Sequence, residues 1–240
     1  MYLSQNNPDI MKRTKTGVLL LFSGLLSAQL CAQNIIRPNQ SLKSHETLEI
    51  SSVELKADVT IVSLTVENRI TGGTFCADRN IFIIDPDGMR LKLKKATGIP
   101  ACPDTYKFRG IGEKLNFTLE FPPLKTGTAW IDIVEECESN CFWFYGITLD
   151  SELNRKLDAA FLSASGNNAA DNVTLFRNIL DPIDSQNLGI EGLLYINIIN
   201  ASLENADKVG ASVWYKRLAV SNAPRVNQYL KYLNDRGVKY

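Results

Sequence analysis

The chain has 240 residues, with 26 basic and 26 acidic side chains and a single histidine, His45. A formally neutral chain lacks the basic footprint of a nucleic-acid binder. One histidine removes the commonest general base, and with it most Ser-His-Asp, Cys-His and His-metal arrangements.

In chain order, the first element is a targeting segment, "MKRTKTGVLLLFSGLLSAQLCAQN". Lys12, Arg13 and Lys15 supply a basic stretch, Val18 to Leu26 an apolar one, and the small residues around Ala28 or Ala32 a cleavage site. Residues 1–32 are therefore expected to be a signal peptide, with Met11 as the natural start and residues 1–10 an upstream extension. Its apolar run is too short to span a bilayer, and no other stretch is long enough to do so. Cys31 follows Leu30 where lipid anchoring wants a small residue, so the expectation is export to the periplasm or exterior without an anchor. Removing this segment takes away Asp9 and three basic residues, which leaves 23 basic against 25 acidic side chains.

Residues 33–46 read as a polar linker that carries His45 on its surface. From 47 to 150 the chain alternates in short β-branched runs. "LEISSVEL", "DVTIVSLTVEN", "NIFIID", "MRLKLKK", "LNFTLEF", "TAWIDIVEE" and "CFWFYGITL" predict seven strands at a spacing that suits an antiparallel β-sandwich. "DPDG", residues 85–88, is a turn in which Pro presets φ and Gly accepts the left-handed conformation; it offers too few oxygens for a calcium loop. Gly110-Ile111-Gly112 lacks the third glycine and the following helix of a dinucleotide fingerprint. Nothing along the chain asks for a cofactor.

Beyond the targeting segment stand Cys76, Cys102, Cys137 and Cys141, an even number in a chain expected to be exported. C-x3-C ahead of an aromatic strand is neither a zinc knuckle nor a redox C-x-x-C at a helix start. Residues four apart on a continuous strand lie roughly 13 Å from each other, beyond the reach of a disulfide. Cys137 and Cys141 can join only if Glu138-Ser139-Asn140 turns back, which an asparagine at the left-handed last position favours. The favoured pairing is Cys137–Cys141, with Cys76–Cys102 closing a loop worth roughly 3 kcal/mol in the chain-entropy model.

If Cys137 faces Cys141, Glu135 pairs with Trp143, Ile133 with Tyr145 and Ile131 with Ile147. Ile131, Ile133, Trp143, Tyr145, Ile147 and Leu149 then form a core face. The opposite face carries Trp130, Asp132, Val134, Phe142, Phe144 and Thr148, too aromatic for open solvent. Either the following helices cover it, or Trp130, Phe142 and Phe144 make a flat aromatic docking patch for an envelope protein partner or a glycan ring.

After Asp150 the apolar period becomes helical. Leu153, Leu157 and Phe161 mark a first helix; Val173, Phe176 and Leu180 mark a second, ended by Asp181-Pro182. Residues 190–206 are apolar around most of the circumference, as in a central buried helix. Trp214 and Leu218 lie on a fourth, and Val226, Tyr229, Leu230 and Leu233 on a fifth between Pro224 and Gly237. Strands followed by helices argue for two domains or an α+β unit.

Segment 53–150 resembles an immunoglobulin-like family of unknown function in bacterial exported proteins, which carries the label of a telomeric-repeat-binding factor. The resemblance rests on "SLTVENR", "FIIDPDG", "FRGIGEKLNFTLEFPPL" and "WIDIVE". It implies a non-catalytic β-sandwich. "ASVWYKRLAVSNAPRVNQYL" resembles part of a tetratricopeptide repeat through Ala211, Tyr215, Leu218 and Pro224, which implies stacked helical hairpins. The expected fold is thus α+β: an immunoglobulin-like antiparallel sandwich over 47–150, then a helical domain of about five helices over 151–240.

The function expected from these features is a non-enzymatic protein-binding or assembly module of the cell envelope. The alternative is a carboxylate-dependent glycan hydrolase, which needs two acids and no histidine; Asp132, Glu135 and Glu136 are its candidates. In the hairpin register above, Asp132 and Glu135 point to opposite faces.

Overall fold

The structure, a computed structural model, describes residues 33–240, and the expected export signal, its cleavage site and Cys31 lie outside the described residues. The described residues hold twelve strands followed by five helices, an α+β arrangement with antiparallel sheets.

The strands are β1 (Gln33–Ile36), β2 (Leu42–Lys43), β3 (Leu48–Leu55), β4 (Thr60–Glu67), β5 (Thr74–Phe75) and β6 (Ile81–Ile84), then β7 (Arg90–Lys92), β8 (Lys95–Thr97), β9 (Tyr106–Lys107), β10 (Lys114–Phe121), β11 (Trp130–Glu135) and β12 (Trp143–Thr148). One five-stranded sheet runs β1-β3-β4-β10-β8, a second runs β2-β12-β11-β6-β7, and β5 pairs with β9. Alternation places the apolar side chains: Leu48, Ile50, Val62, Leu64, Phe117 and Leu119 from the first sheet share one buried core with Ile81, Ile83, Ile131, Ile133 and Ile147 from the second.

Residues 33–46, expected to be a linker, instead belong to both sheets. β1 pairs with β3, and β2 with β12. The segment between them follows β12: the Ser41 amide donates to the Tyr145 carbonyl at 2.8 Å, and the Thr148 amide to the Asn39 carbonyl at 2.9 Å. Short polar strands of this kind carry too few apolar residues to show a period.

The helices are α1 (Ser151–Ala164), α2 (Ala169–Leu180), α3 (Glu191–Glu204), α4 (Lys208–Ala219) and α5 (Val226–Asp235). Three have side-chain N-caps: Asp150 accepts from the Glu152 and Leu153 amides, Asn168 from Asp171 and Asp207 from Gly210. α3 is the central helix, with Leu194, Tyr195, Ile198 and Ile199 wholly buried. Its core continues through Leu157, Leu180, Leu218 and Tyr229 to Leu42 of β2, and Trp143 and Tyr145 pack against it. The helices thus cover the second sheet where β2 and β12 present Leu42, Trp143 and Tyr145. The described residues form one compact unit, so the boundary at 150 joins parts of a single body.

Candidate functional site

The β11–β12 hairpin decides which side chains meet the helices. Trp130 pairs with Thr148 and Ile131 with Ile147 as the sequence predicts, but beyond them Ile133 pairs with Phe144 and Val134 with Trp143. The expected pairs Ile133 with Tyr145 and Glu135 with Trp143 are corrected by one residue. The cause is a bulge at Gly146, which has φ +61° and donates its amide to Asp132 Oδ1 at 2.8 Å. A Cβ at this position would stand 2.0 Å from the Gly189 carbonyl oxygen, so glycine is required twice over, by conformation and by space.

The one-residue slip exchanges the two aromatic sets. Phe142 and Phe144, 1% and 0% exposed, point into the core between the sheets. Trp143 and Tyr145, stacked with centroids 4.4 Å apart, turn to the helices. The expected patch of Trp130, Phe142 and Phe144 on one open face is therefore corrected. Trp130 alone lies on the helix side, 4% exposed, with its ring over Gly189 and its Nε1 donating to the Asn187 carbonyl at 2.8 Å. Sequence reasoning overlooked the one signal available, an isolated glycine inside a strand pattern.

At the same junction Asp132, fully buried, accepts from the Arg225 Nε at 2.8 Å and from a second guanidinium nitrogen. Burial pushes the Asp132 carboxyl up from its usual range, against the pull of the Gly146 amide and Arg225. Arg225 takes φ +65° at the start of α5 and lies 5.2 Å from the Tyr145 ring centroid. Ser41 Oγ donates to the Gly189 carbonyl at 2.6 Å. Asn154 on α1 donates to the Thr148 carbonyl and accepts from the Asn39 amide. This is a fastened internal surface. Among the described residues, Thr148 Oγ1 and Glu191 Oε2 are buried there without a partner.

The open site lies at the far end of the β unit, a cleft of about 790 Å³ lined by both cystine bridges. The pairing is the one favoured from sequence. Cys76 and Cys102 are joined with Cα atoms 5.3 Å apart, and Cys137 and Cys141 at 5.5 Å, with Asn140 at φ +57° closing the small loop. Two disulfides mark an oxidising, non-cytoplasmic setting. Phe75 and Phe108 line the cleft, and Phe75 stacks on Phe142 with centroids 6.3 Å apart. His45 reaches the same cleft edge-on to Phe75, and burial lowers its pKa.

The three candidate carboxylates are not brought together. Asp132 is held by Arg225 under the helices. Glu135 lines the cleft, but its two oxygens accept the Asp78 amide at 2.6 Å and the Phe142 amide at 2.9 Å, and burial raises its pKa. Glu136 pairs with Arg90 at 2.5 Å on the surface. Glu135 is thus a brace between Phe142, just past the 137–141 loop, and the segment that follows Cys76, rather than a free acid. Among the described residues no group of three or more His, Cys, Asp or Glu could hold a metal ion, and no helix is long and apolar enough to cross a membrane.

The motifs behind the family resemblance have structural duties. Asp85, in "FIIDPDG", is buried and closes its turn by accepting the Met89 amide on Oδ1 at 2.8 Å. Asn68, the end of "SLTVEN", donates through Nδ2 to the carbonyls of Ile70 at 2.9 Å and Gly110 at 2.7 Å. Comparison with protein-family models, with curated proteins and with solved structures finds no match in any of the three.

Proposed function

We propose that this is an exported, non-enzymatic protein of the bacterial cell envelope, periplasmic or extracellular, whose immunoglobulin-like β unit binds a protein partner in an assembly. The observation that carries the reading is the cleft. Its rim is fixed by two covalent bridges, while the buried carboxylate beside it is spent on backbone amides. Such a surface is preorganised for recognition, because little ordering entropy remains to be lost on binding. The aromatic floor of Phe75 and Phe108 suits an inserted apolar side chain. The hydrolase alternative has no support in the placement of Asp132, Glu135 and Glu136.

The test is site-specific photo-crosslinking in living cells. A crosslinker at Ser139, on the cleft rim, is expected to capture one reproducible envelope protein, whereas one at Glu204, at the end of α3, captures none. Equal capture from both positions, or none from Ser139, contradicts the reading.

A further inference from the structure

Beside the cleft, two loops end the β unit in the same direction. The first, residues 69–73, joins β4 to β5; the second, residues 108–113, joins β9 to β10. Each exposes one isoleucine, Ile70 at 66% and Ile111 at 68%. Neither loop is loose. Asn68, itself buried, ties both with its side-chain amide, accepts the Gly112 amide on its carbonyl at 2.7 Å and donates its own amide to the Glu113 carbonyl at 2.9 Å. The second loop is braced again where the Phe108 amide donates to the Gly73 carbonyl at 3.0 Å. The fold therefore spends a buried asparagine on holding two large apolar side chains in water.

The charges around them have one sign in excess. Arg69 precedes Ile70, Arg109 stands two residues before Ile111, and Lys107 and Lys114 flank the second loop, all exposed. The acids among them are occupied. Glu67 lies 3.7 Å from Arg69 and 3.5 Å from Lys114, and Glu113 accepts from the Tyr106 hydroxyl and the Arg109 amide. Four cations thus answer two carboxylates on the two loops and their flanks, while the acids Asp78, Glu135 and Glu138 line the cleft that Arg69 and Ile70 border.

We propose that Ile70 and Ile111 form a membrane-docking tip that seats on the surface of an anionic phospholipid bilayer. The two side chains enter the headgroup and acyl boundary, and Arg69, Lys107, Arg109 and Lys114 lie against lipid phosphates. Apolar insertion combined with electrostatic attraction is the two-signal arrangement that gives a peripheral protein useful affinity. Because the loops are held by Asn68, insertion does not first have to order them. Arg69 and Ile70 also border the cleft, whereas Lys107, Arg109, Ile111 and Lys114 do not, and flotation and the Ser139 crosslink are read separately, so either reading can fail alone.

The test is flotation of the full chain with vesicles of phosphatidylethanolamine mixed with phosphatidylglycerol, and in parallel with vesicles of phosphatidylcholine. The protein is expected to float with the first, less as salt rises, and not with the second. Ile70→Ser/Ile111→Ser is expected to weaken flotation by about tenfold or more, and Arg69→Gln/Arg109→Gln by roughly fivefold per arginine. Both double variants should melt as the wild type does, because the four side chains are exposed, and Val209→Ser/Val213→Ser on α4 should float unchanged. No flotation, equal flotation on both vesicle types, or flotation indifferent to the isoleucines overturns the proposal. So does loss of the Ser139 crosslink in Ile70→Ser/Ile111→Ser without loss of flotation, which would make the tip a protein contact instead.

Discussion

Asp132 on β11 and Arg225 at the start of α5, 93 residues apart in sequence, form a two-pronged ion pair that clamps the helices onto the second sheet. The carboxylate is wholly buried and the arginine side chain is 32% exposed, so one partner is shielded and the other partly wet. Breaking a buried pair commonly costs about 3–5 kcal/mol, and the wet side lowers this to about 2–3 kcal/mol for Asp132→Ala, which also orphans the Gly146 amide. A double-mutant cycle with Arg225→Ala in urea unfolding should return a coupling of about 1–2 kcal/mol. Additive single effects would show that the clamp contributes nothing.

The pH response follows from burial. Asp132, Glu135 and Glu191 all have carboxyls raised by desolvation above their ordinary values of 3.8, 4.5 and 4.5. The folded protein therefore binds these protons more tightly than the unfolded chain. Their contribution to stability is complete below the ordinary values and is lost as pH rises through the folded ones. The difference in urea midpoint between wild type and Asp132→Asn/Glu191→Gln should accordingly move in favour of the variant as pH climbs from about 4 to neutral. A difference that stays flat, or moves the other way, refutes the assignment.

Gly146 and Thr148 make opposite predictions on one strand. Gly146→Ala drives a methyl into the Gly189 carbonyl at a left-handed φ, and should cost about 3 kcal/mol or more with exchange of amides in α3 and α5 accelerated. Thr148→Val removes a buried hydroxyl that has no partner among the described residues, and should be neutral or stabilising by up to about 1 kcal/mol. Calorimetry of the two variants side by side checks both signs.

Phe142 and Phe144 serve the core between the sheets. Each changed to Ala should cost about 3–5 kcal/mol and lower the melting temperature of the whole unit. Near-native stability in either variant would place these rings on a surface after all.

The helices were readable because each repeats an apolar side chain every three to four residues over two turns or more, from Leu153 to Leu233, and three begin at an Asp or Asn cap. Seven strands, β3, β4, β6, β7, β10, β11 and β12, were readable from alternation. Four cysteines allow three connectivities, and chain geometry favoured the observed one without fixing it, since a turn through Asn140 lets Cys137 reach Cys141. What escaped was non-local or single-residue information. β1, β2, β5, β8 and β9, each of two to four residues, carry no alternation of apolar and polar side chains to read. The ion pair joins two residues with no common local pattern, although a charged Asp132 amid Ile131 and Ile133 asked for a buried partner. The bulge depended on one glycine, and because strands have period two, that glycine moved four aromatic rings to opposite faces.

Two cystines frame the cleft, and the proposed role requires both to be formed in the cell. Peptide mapping by mass spectrometry, on protein recovered from the envelope fraction with thiols blocked at lysis, measures this directly. The expected result is Cys76 linked to Cys102, Cys137 linked to Cys141 and none of these four thiols free. Recovery of reduced cysteines, or of Cys76 or Cys102 joined to Cys137 or Cys141, would contradict the frame and the cleft built on it.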